Sequence, residues 1–273
     1  MVMTELEPKQ KEPDVKFTVD LGALLGRATA PVTETVQLLA YGLALTEDAH
    51  VEHLDLPGAV LQLRGSESGA DLERIRDLFA AWLTGTAVRR YIEVFSAFLE
   101  DFGFIAALVR RVVVQEHFDE TVVRKKHNAL SFPDKLAVGH IVGVQLDNTF
   151  VEMLDSINVA RNCYEHRRGV VGLQDVRGGD SLEVKWYRAV FTVASAEGAD
   201  EEVKELPAII EPGGSFTGRY VITSRRFRLG ETIGFTPSEV GDMGLTFMLA
   251  AQQLVGKMPE AAERFERDRP GPS

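Results

Sequence analysis

The apolar residues of this chain change their period once, and that change sets the limits on its fold. Up to about residue 166 they recur every three or four positions, the spacing that puts side chains on one face of a helix. Val32, Val36, Leu39 and Leu43 follow it between Pro31 and Leu45, and Pro31 suits a first helical turn, where a missing N–H costs nothing. Asp71 to His117 reads as one long helical region with a stripe of Leu72, Ile75, Leu78, Phe79 and Leu83. Gly85 and Gly103 are expected to divide it, because one helix of that length is unusual in a globular domain. Ser131-Phe132-Pro133-Asp134 makes a helix start, followed by helical stretches over Asp134 to Gln145 and Asp147 to about His166. In the last of these, Phe150, Leu154, Ile157, Ala160 and Tyr164 form the stripe expected to be buried.

Past Gly169 the pattern becomes extended. Ser181 to Val193 and Gly218 to Phe227 are rich in β-branched and aromatic residues, and FRLGETIGF reads as two short strands around Gly230, the second over Glu231 to Phe235. Ala194 to Gly214 is acidic and loop-like, and Pro237-Ser238-Glu239 opens a final helix through Leu245, Leu249, Leu254 and Met258. The expected fold is mainly α, an up-and-down helical bundle with a small antiparallel β insertion before the last helix. Its parts are a disordered, charged tail over 1–19, a bundle over 20–175, the insertion over 180–235, and a C-terminal helix over 236–268 packing on the bundle.

Composition narrows the function. The formal net charge of −11 means that any nucleic-acid site must be a local basic patch on an acidic body. A single cysteine, Cys163, allows no intrachain disulfide and fits a reducing compartment, and it reads as a small buried residue rather than a nucleophile. No apolar run is long enough to span a bilayer and no secretory leader is evident, so a soluble cytoplasmic protein is expected. Phosphate-loop, dinucleotide, nucleophile-elbow and metal-ligand motifs are missing, so no cofactor and no metal is expected. His50 and His53 stand among Asp48, Glu52 and Asp55 but read first as a solvated surface. His117, His127 and His140 are isolated.

Chemistry concentrates in Ile157-Asn158-Val159-Ala160-Arg161-Asn162-Cys163-Tyr164-Glu165-His166-Arg167-Arg168-Gly169. Arginine holds a phosphate with a fixed fork of donors, and histidine moves a proton near neutral pH. On a helix Asn158, Asn162 and His166 share a face and Arg161 lies beside it, four residues from Glu165. Arg161 and His166 are roughly 140° apart around the axis, so either the helix ends between them or two copies of the chain bring them together.

This run resembles the R-x(4–6)-H motif of the HEPN superfamily, with Arg161 and His166 at its ends and the polar Asn162 after the arginine. The likeness covers mainly residues 131–172. It implies a helical bundle that forms a homodimer with two motifs facing each other, and a metal-independent endoribonuclease of toxin–antitoxin, phage-defence or RNA-processing systems, with an antitoxin as a further partner. It also implies roles: His166 as general base or acid for attack of the ribose 2′-hydroxyl, Arg161 as the phosphate ligand, and Asn162 as an orienting group. Arg167 and Arg168 would supply RNA-backbone affinity.

The same residues also have a bland reading, in which Arg161 pairs with Glu165 or Asp155 and the histidine and arginines merely complement a helix C-terminus. The chain would then be a non-catalytic helical binding or assembly module. A second R-x5-H match, Arg111 to His117, lacks the polar residue and lies in a valine run. Arg124-Lys125-Lys126-His127 reads as a short basic surface loop, and Arg225-Arg226-x-Arg228 as a solvated strand face; contact with RNA is the second reading of each.

Overall fold

The computed structural model describes residues 18–48, 69–114, 120–137, 143–194, 200–203 and 215–268. It is mainly α, a helical bundle with a small antiparallel sheet inserted before the last helix. Among the described residues there are six helices: α1 (Leu21–Asp48), α2 (Gly69–Val114), α3 (Glu120–Asn128), α4 (Phe132–Ala137), α5 (Asn148–Arg167) and α6 (Pro237–Arg267). Three strands, β1 (Ser181–Ala194), β2 (Asp200–Glu202) and β3 (Ser215–Arg228), lie in the order β2-β1-β3 with antiparallel pairing throughout.

Helix α1 begins ten residues before Pro31. The carboxylate of Asp20 accepts the Ala23 N–H at 2.9 Å and its carbonyl accepts from Leu24, so Asp20 does the capping expected near Pro31. Pro31 therefore lies inside the helix, and the Thr35 hydroxyl donates to its carbonyl at 2.7 Å. Helix α2 runs unbroken through Gly85 and Gly103. Gly85 is a point of close approach rather than a break: a Cβ there would sit 3.2 Å from the Tyr164 ring of α5. The expected stripe on α2 also turns out differently, since Ile75, Leu78 and Phe79 are exposed. The buried face of this helix lies further along, at Val88, Tyr91, Ile92, Phe95 and Phe98. Leu72 lies outside the residues whose side chains are described.

The basic segment Arg124 to His127 is helical, not a loop, and Arg124 stacks on the Phe104 ring, 3.8 Å from its centroid. Ser131 starts α4, accepting the Asp134 N–H at 3.4 Å. The described part of that helix reaches Ala137, and residues 143–147, led by Gly143 at φ 74°, are not helical, so the stretch expected to reach Gln145 ends before it. Buried Lys135 of α4 donates to Ser96 at 2.7 Å and pairs with Glu100, tying α4 to α2.

The core joins all these elements. Phe150, Met153, Leu154, Ile157, Ala160 and Cys163 of α5 and Val240, Met243, Phe247, Ala250 and Leu254 of α6 pack with the α2 aromatics. Helix α6 opens on Thr236 with a reciprocal capping box to Glu239 and packs against α1, α2 and β1. The sheet presents Leu182, Val184 and Trp186 to the bundle. Its β1 edge is closed by helix hydroxyls: Ser156 accepts the Lys185 N–H at 2.9 Å and Thr246 that of Tyr187 at 2.8 Å. Each hydroxyl also donates to a carbonyl of its own helix, so the strand N–H groups are satisfied without a neighbouring strand. Glu231 to Phe235 forms no strand. It makes only a bridge at Thr232 to Val170, with Val171 donating to Glu231 and Ile233 to Gly169. No helix among the described residues is long and apolar enough to cross a membrane. The tail over 1–17, His50, His53, His117 and His140 lie outside the described residues.

Candidate active site at the end of helix α5

The end of α5 follows from backbone chemistry. Arg168 adopts the left-handed conformation at φ 54° and Gly169 follows at φ 80°, with both N–H groups returning to the Cys163 carbonyl. Glycine tolerates that turn, which closes the helix and releases the chain toward the sheet. Helix geometry thus continues through Arg167, and the first of the two sequence alternatives, a helix ending between Arg161 and His166, does not occur.

Within one chain the two residues are instead linked through Glu165. Its carboxylate lies 3.0 Å from Arg161 Nη1 and 4.0 Å from His166 Nε2. Asn162 Oδ1 accepts from Arg161 Nη1 at 2.9 Å. The His166 imidazole is 65% exposed, whereas Arg161 is three-quarters buried and its Nε has no hydrogen-bond partner among the described residues. An arginine fork one-quarter exposed beside an exposed imidazole can bind an anion and exchange a proton, provided the anion displaces Glu165 from the fork. Asn158, expected on the same face, is buried at 6% exposure and belongs to the packing layer.

The remaining two arginines of the motif differ from each other. Arg167 donates from Nε to Asp175 Oδ2 at 2.8 Å and from Nη2 to Asp175 Oδ1. Asp175 is buried and also accepts the Gly172 N–H at 2.8 Å, so this pair clamps the loop after α5. Arg168 is exposed. Cys163 is fully buried, and burial, with the nearby Asp175 charge, pushes its thiol up from the ordinary value, so it stays protonated and unreactive.

Two participants escape sequence reasoning. Arg89 of α2 lies 3.9 Å from Glu165 and also pairs with Glu93, so it extends the charged corner onto a second helix. Asp175 sits in a turn with no motif. Glu165, by contrast, is foreseeable from its four-residue spacing to Arg161. From Arg89 the surface leads into a groove of about 280 Å³ between α1 and α2, lined by Leu38, Leu39, Leu83, Thr86 and Arg90 among others. Among the described residues no cluster of histidine, cysteine and carboxylate groups is arranged to hold a metal ion. No known protein family, curated protein or solved structure matches this chain.

Proposed function

We propose that this chain is a HEPN-like, metal-independent endoribonuclease that works as a homodimer, in a cytoplasmic toxin–antitoxin or phage-defence setting. The observation that carries the reading is the meeting of an exposed His166 and the Arg161 fork at Glu165, at the C-terminal end of a core helix. In this reading His166 takes the proton from a ribose 2′-hydroxyl as its oxygen attacks the adjacent phosphorus. The P–O5′ bond breaks, the departing O5′ takes a proton, and the products are a 2′,3′-cyclic phosphate and a 5′-hydroxyl. Arg161 neutralises charge on the non-bridging oxygens, Asn162 holds the guanidinium in place, and Arg168 adds backbone affinity. Arg167 acts through its clamp on Asp175.

Two features support the dimer. Since α5 stays helical through Arg167, Arg161 and His166 leave it roughly 140° apart, so one phosphate is best held between the arginine of one copy and the histidine of another. In addition, Leu38, Tyr41 and Leu45 of α1 and Ile75, Leu78, Phe79 and Trp82 of α2 are 38–68% exposed. Together they offer roughly 600 Å² of apolar surface, above most monomer patches and close to the ~800 Å² that one partner contributes to a standard interface. Seven of the fourteen large apolar residues exposed among the described residues fall here. On α2 the stripe leads toward Arg89, which touches the Glu165 corner.

The test is cleavage of single-stranded RNA by purified protein in the presence of a chelator. Cleavage that ends in 2′,3′-cyclic phosphate and disappears with His166→Ala is expected. Absence of cleavage under all metal conditions sinks the nuclease reading. The arrest of Arg161 by Asn162 and Glu165 of its own chain favours a second reading, a non-catalytic assembly module, and that reading predicts identical behaviour of wild type and His166→Ala in cells.

A further inference from the structure

The two long strands of this acidic protein are basic, while the short β2 carries Asp200, Glu201 and Glu202. Strand β1 carries Lys185 and Arg188 against Glu183, and β3 carries four arginines and no carboxylate, so the two strands sum to +5 on a chain of −11. Strand alternation sorts these charges between two faces. Arg225 turns toward α6 and bonds Glu239 at 2.8 Å. Arg226 and Arg228 project from the opposite, solvent face, Arg226 reaching Glu183 at 3.1 Å. The same face continues into aromatic residues. Tyr220 is 56% and Ile222 55% exposed, and Phe216 stacks on Phe191 with centroids 5.3 Å apart and planes within 13°. Tyr220 packs at 6.4 Å on Tyr187, itself propped edge-on by Phe150 of α5 at 5.3 Å. Gly218 lies between these pairs, where a Cβ would stand 3.1 Å from Phe191, so the Phe191 ring lies flat against the strand.

From this combination we infer that the solvent face of the β1–β3 ribbon is a platform for single-stranded RNA, with bases stacking on Tyr220 and Phe216 and phosphates drawn to Arg226 and Arg228. The inference rests on the ribonuclease reading for the choice of RNA as the polyanion. Flat, half-exposed rings accept any base, and cations beside them follow the backbone. A duplex keeps its bases stacked inside and cannot use such rings. Tyr220 reaches the bundle through Tyr187 at Phe150, in the first turn of α5, and His166 is sixteen residues further along that helix, about 24 Å away at 1.5 Å per residue. The Tyr220 end of the platform therefore serves long substrates and is out of reach of very short ones.

Binding is read by titrating His166→Ala protein with a 2′-O-methyl oligouridine, which cannot be cleaved, and cleavage is read separately on wild-type background. Tyr220→Ala and Phe216→Ala should each weaken binding about five- to hundredfold, while Tyr220→Phe keeps it. Arg226→Gln and Arg228→Gln should each lower the slope of log K against log salt by about 0.7. On wild-type background Tyr220→Ala should raise KM for long RNA at unchanged kcat and leave a trinucleotide substrate unaffected. Unchanged Trp186 fluorescence confirms that the ribbon is still seated on the bundle. Equal binding of duplex RNA, or binding indifferent to the ring truncations, overturns the platform. So does equal, ring-dependent binding of a polyglutamate peptide, which would assign the face to an acidic protein partner. Ring-dependent RNA binding without any cleavage would instead leave the platform standing and refute the nuclease reading alone.

Discussion

Removing the carboxylate of Asp175 tests whether Arg167 serves the fold or the substrate. Asp175 is 2% exposed and Arg167 18%, and the two make a bidentate pair to which the Gly172 N–H adds a third bond. Breaking a buried ion pair from one side costs about 3–5 kcal/mol, because the surviving charge keeps its desolvation cost without its partner. Arg167 retains some access to water and can partly rehydrate, which places Asp175→Ala near the lower end, about 3 kcal/mol. Arg167→Ala leaves the more deeply buried carboxylate behind and should cost about the same or slightly more. Because either truncation destroys the same bonds, the double variant should fall well short of additivity, with a coupling of about 2–3 kcal/mol. Urea denaturation of the four proteins measures this directly, and at 2–4 °C per kcal/mol each single variant should melt about 6–12 °C lower. Arg167→Lys should lose most of the stability as well, since an ammonium cannot reproduce the fork. Coupling below about 0.5 kcal/mol, or full stability in Arg167→Lys, would show that the clamp does not hold the end of α5.

Three further outcomes follow from the same structure. Burial lifts the Asp242 carboxyl to about 6 from its ordinary 3.8, with Arg188 opposing and Glu239 adding. The folded state therefore holds that proton more tightly than the unfolded chain, a contribution that is complete below 3.8 and is lost as pH rises through 6. Asp242→Asn should consequently raise stability at pH 7 by about 2 kcal/mol, after allowance for partial exposure, and leave it unchanged at pH 3; equal effects at both pH values in urea titrations would refute this. The Tyr91 hydroxyl is buried without a hydrogen-bond partner among the described residues, so Tyr91→Phe should be neutral or stabilising by up to about 1 kcal/mol, and a clear loss would reveal a partner. Trp82→Glu, which places a charge in the exposed apolar stripe, should turn a dimer into a monomer in sedimentation equilibrium without lowering the melting temperature. A wild-type protein that is monomeric at high concentration would rule that face out as the interface.

Local physics made much of the fold legible. The period of Phe150, Leu154, Ile157, Ala160 and Tyr164 announced a buried helix, and the structure buries the first four and partly buries Tyr164 between 148 and 167. Ser181 to Val193 and Gly218 to Phe227 were readable as strands because β-branched and aromatic residues crowd there, and both lie within the observed strands. Pro237-Ser238-Glu239 was readable as a helix start, and α6 begins at Pro237. The misreadings share one cause: each took a residue or segment at its own propensity and missed the surroundings that override it. Gly85 is a helix breaker by propensity and here a seat for Tyr164. Pro31 opens helices in isolation, but Asp20 already caps this one. Glu231 to Phe235 has strand composition, yet its neighbour is the turn after α5, which offers it a single bridge.

The candidate site divides in the same way. The four-residue step from Arg161 to Glu165 and the divergence of Arg161 from His166 are properties of helix geometry, and the sequence alone determined both, together with the helical and extended halves of the chain. Only the tertiary structure decided that α5 stays helical through Arg167, that Arg89 joins Glu165 from 76 residues away, and that Asp175 holds Arg167. It alone left the face of Tyr220, Arg226 and Arg228 to solvent and turned Arg225 toward α6. Helix and strand periods are written in near neighbours, three or four residues apart in one case and two in the other. Which charge meets which, and which apolar face stays uncovered, depends on elements that meet only once the core has closed.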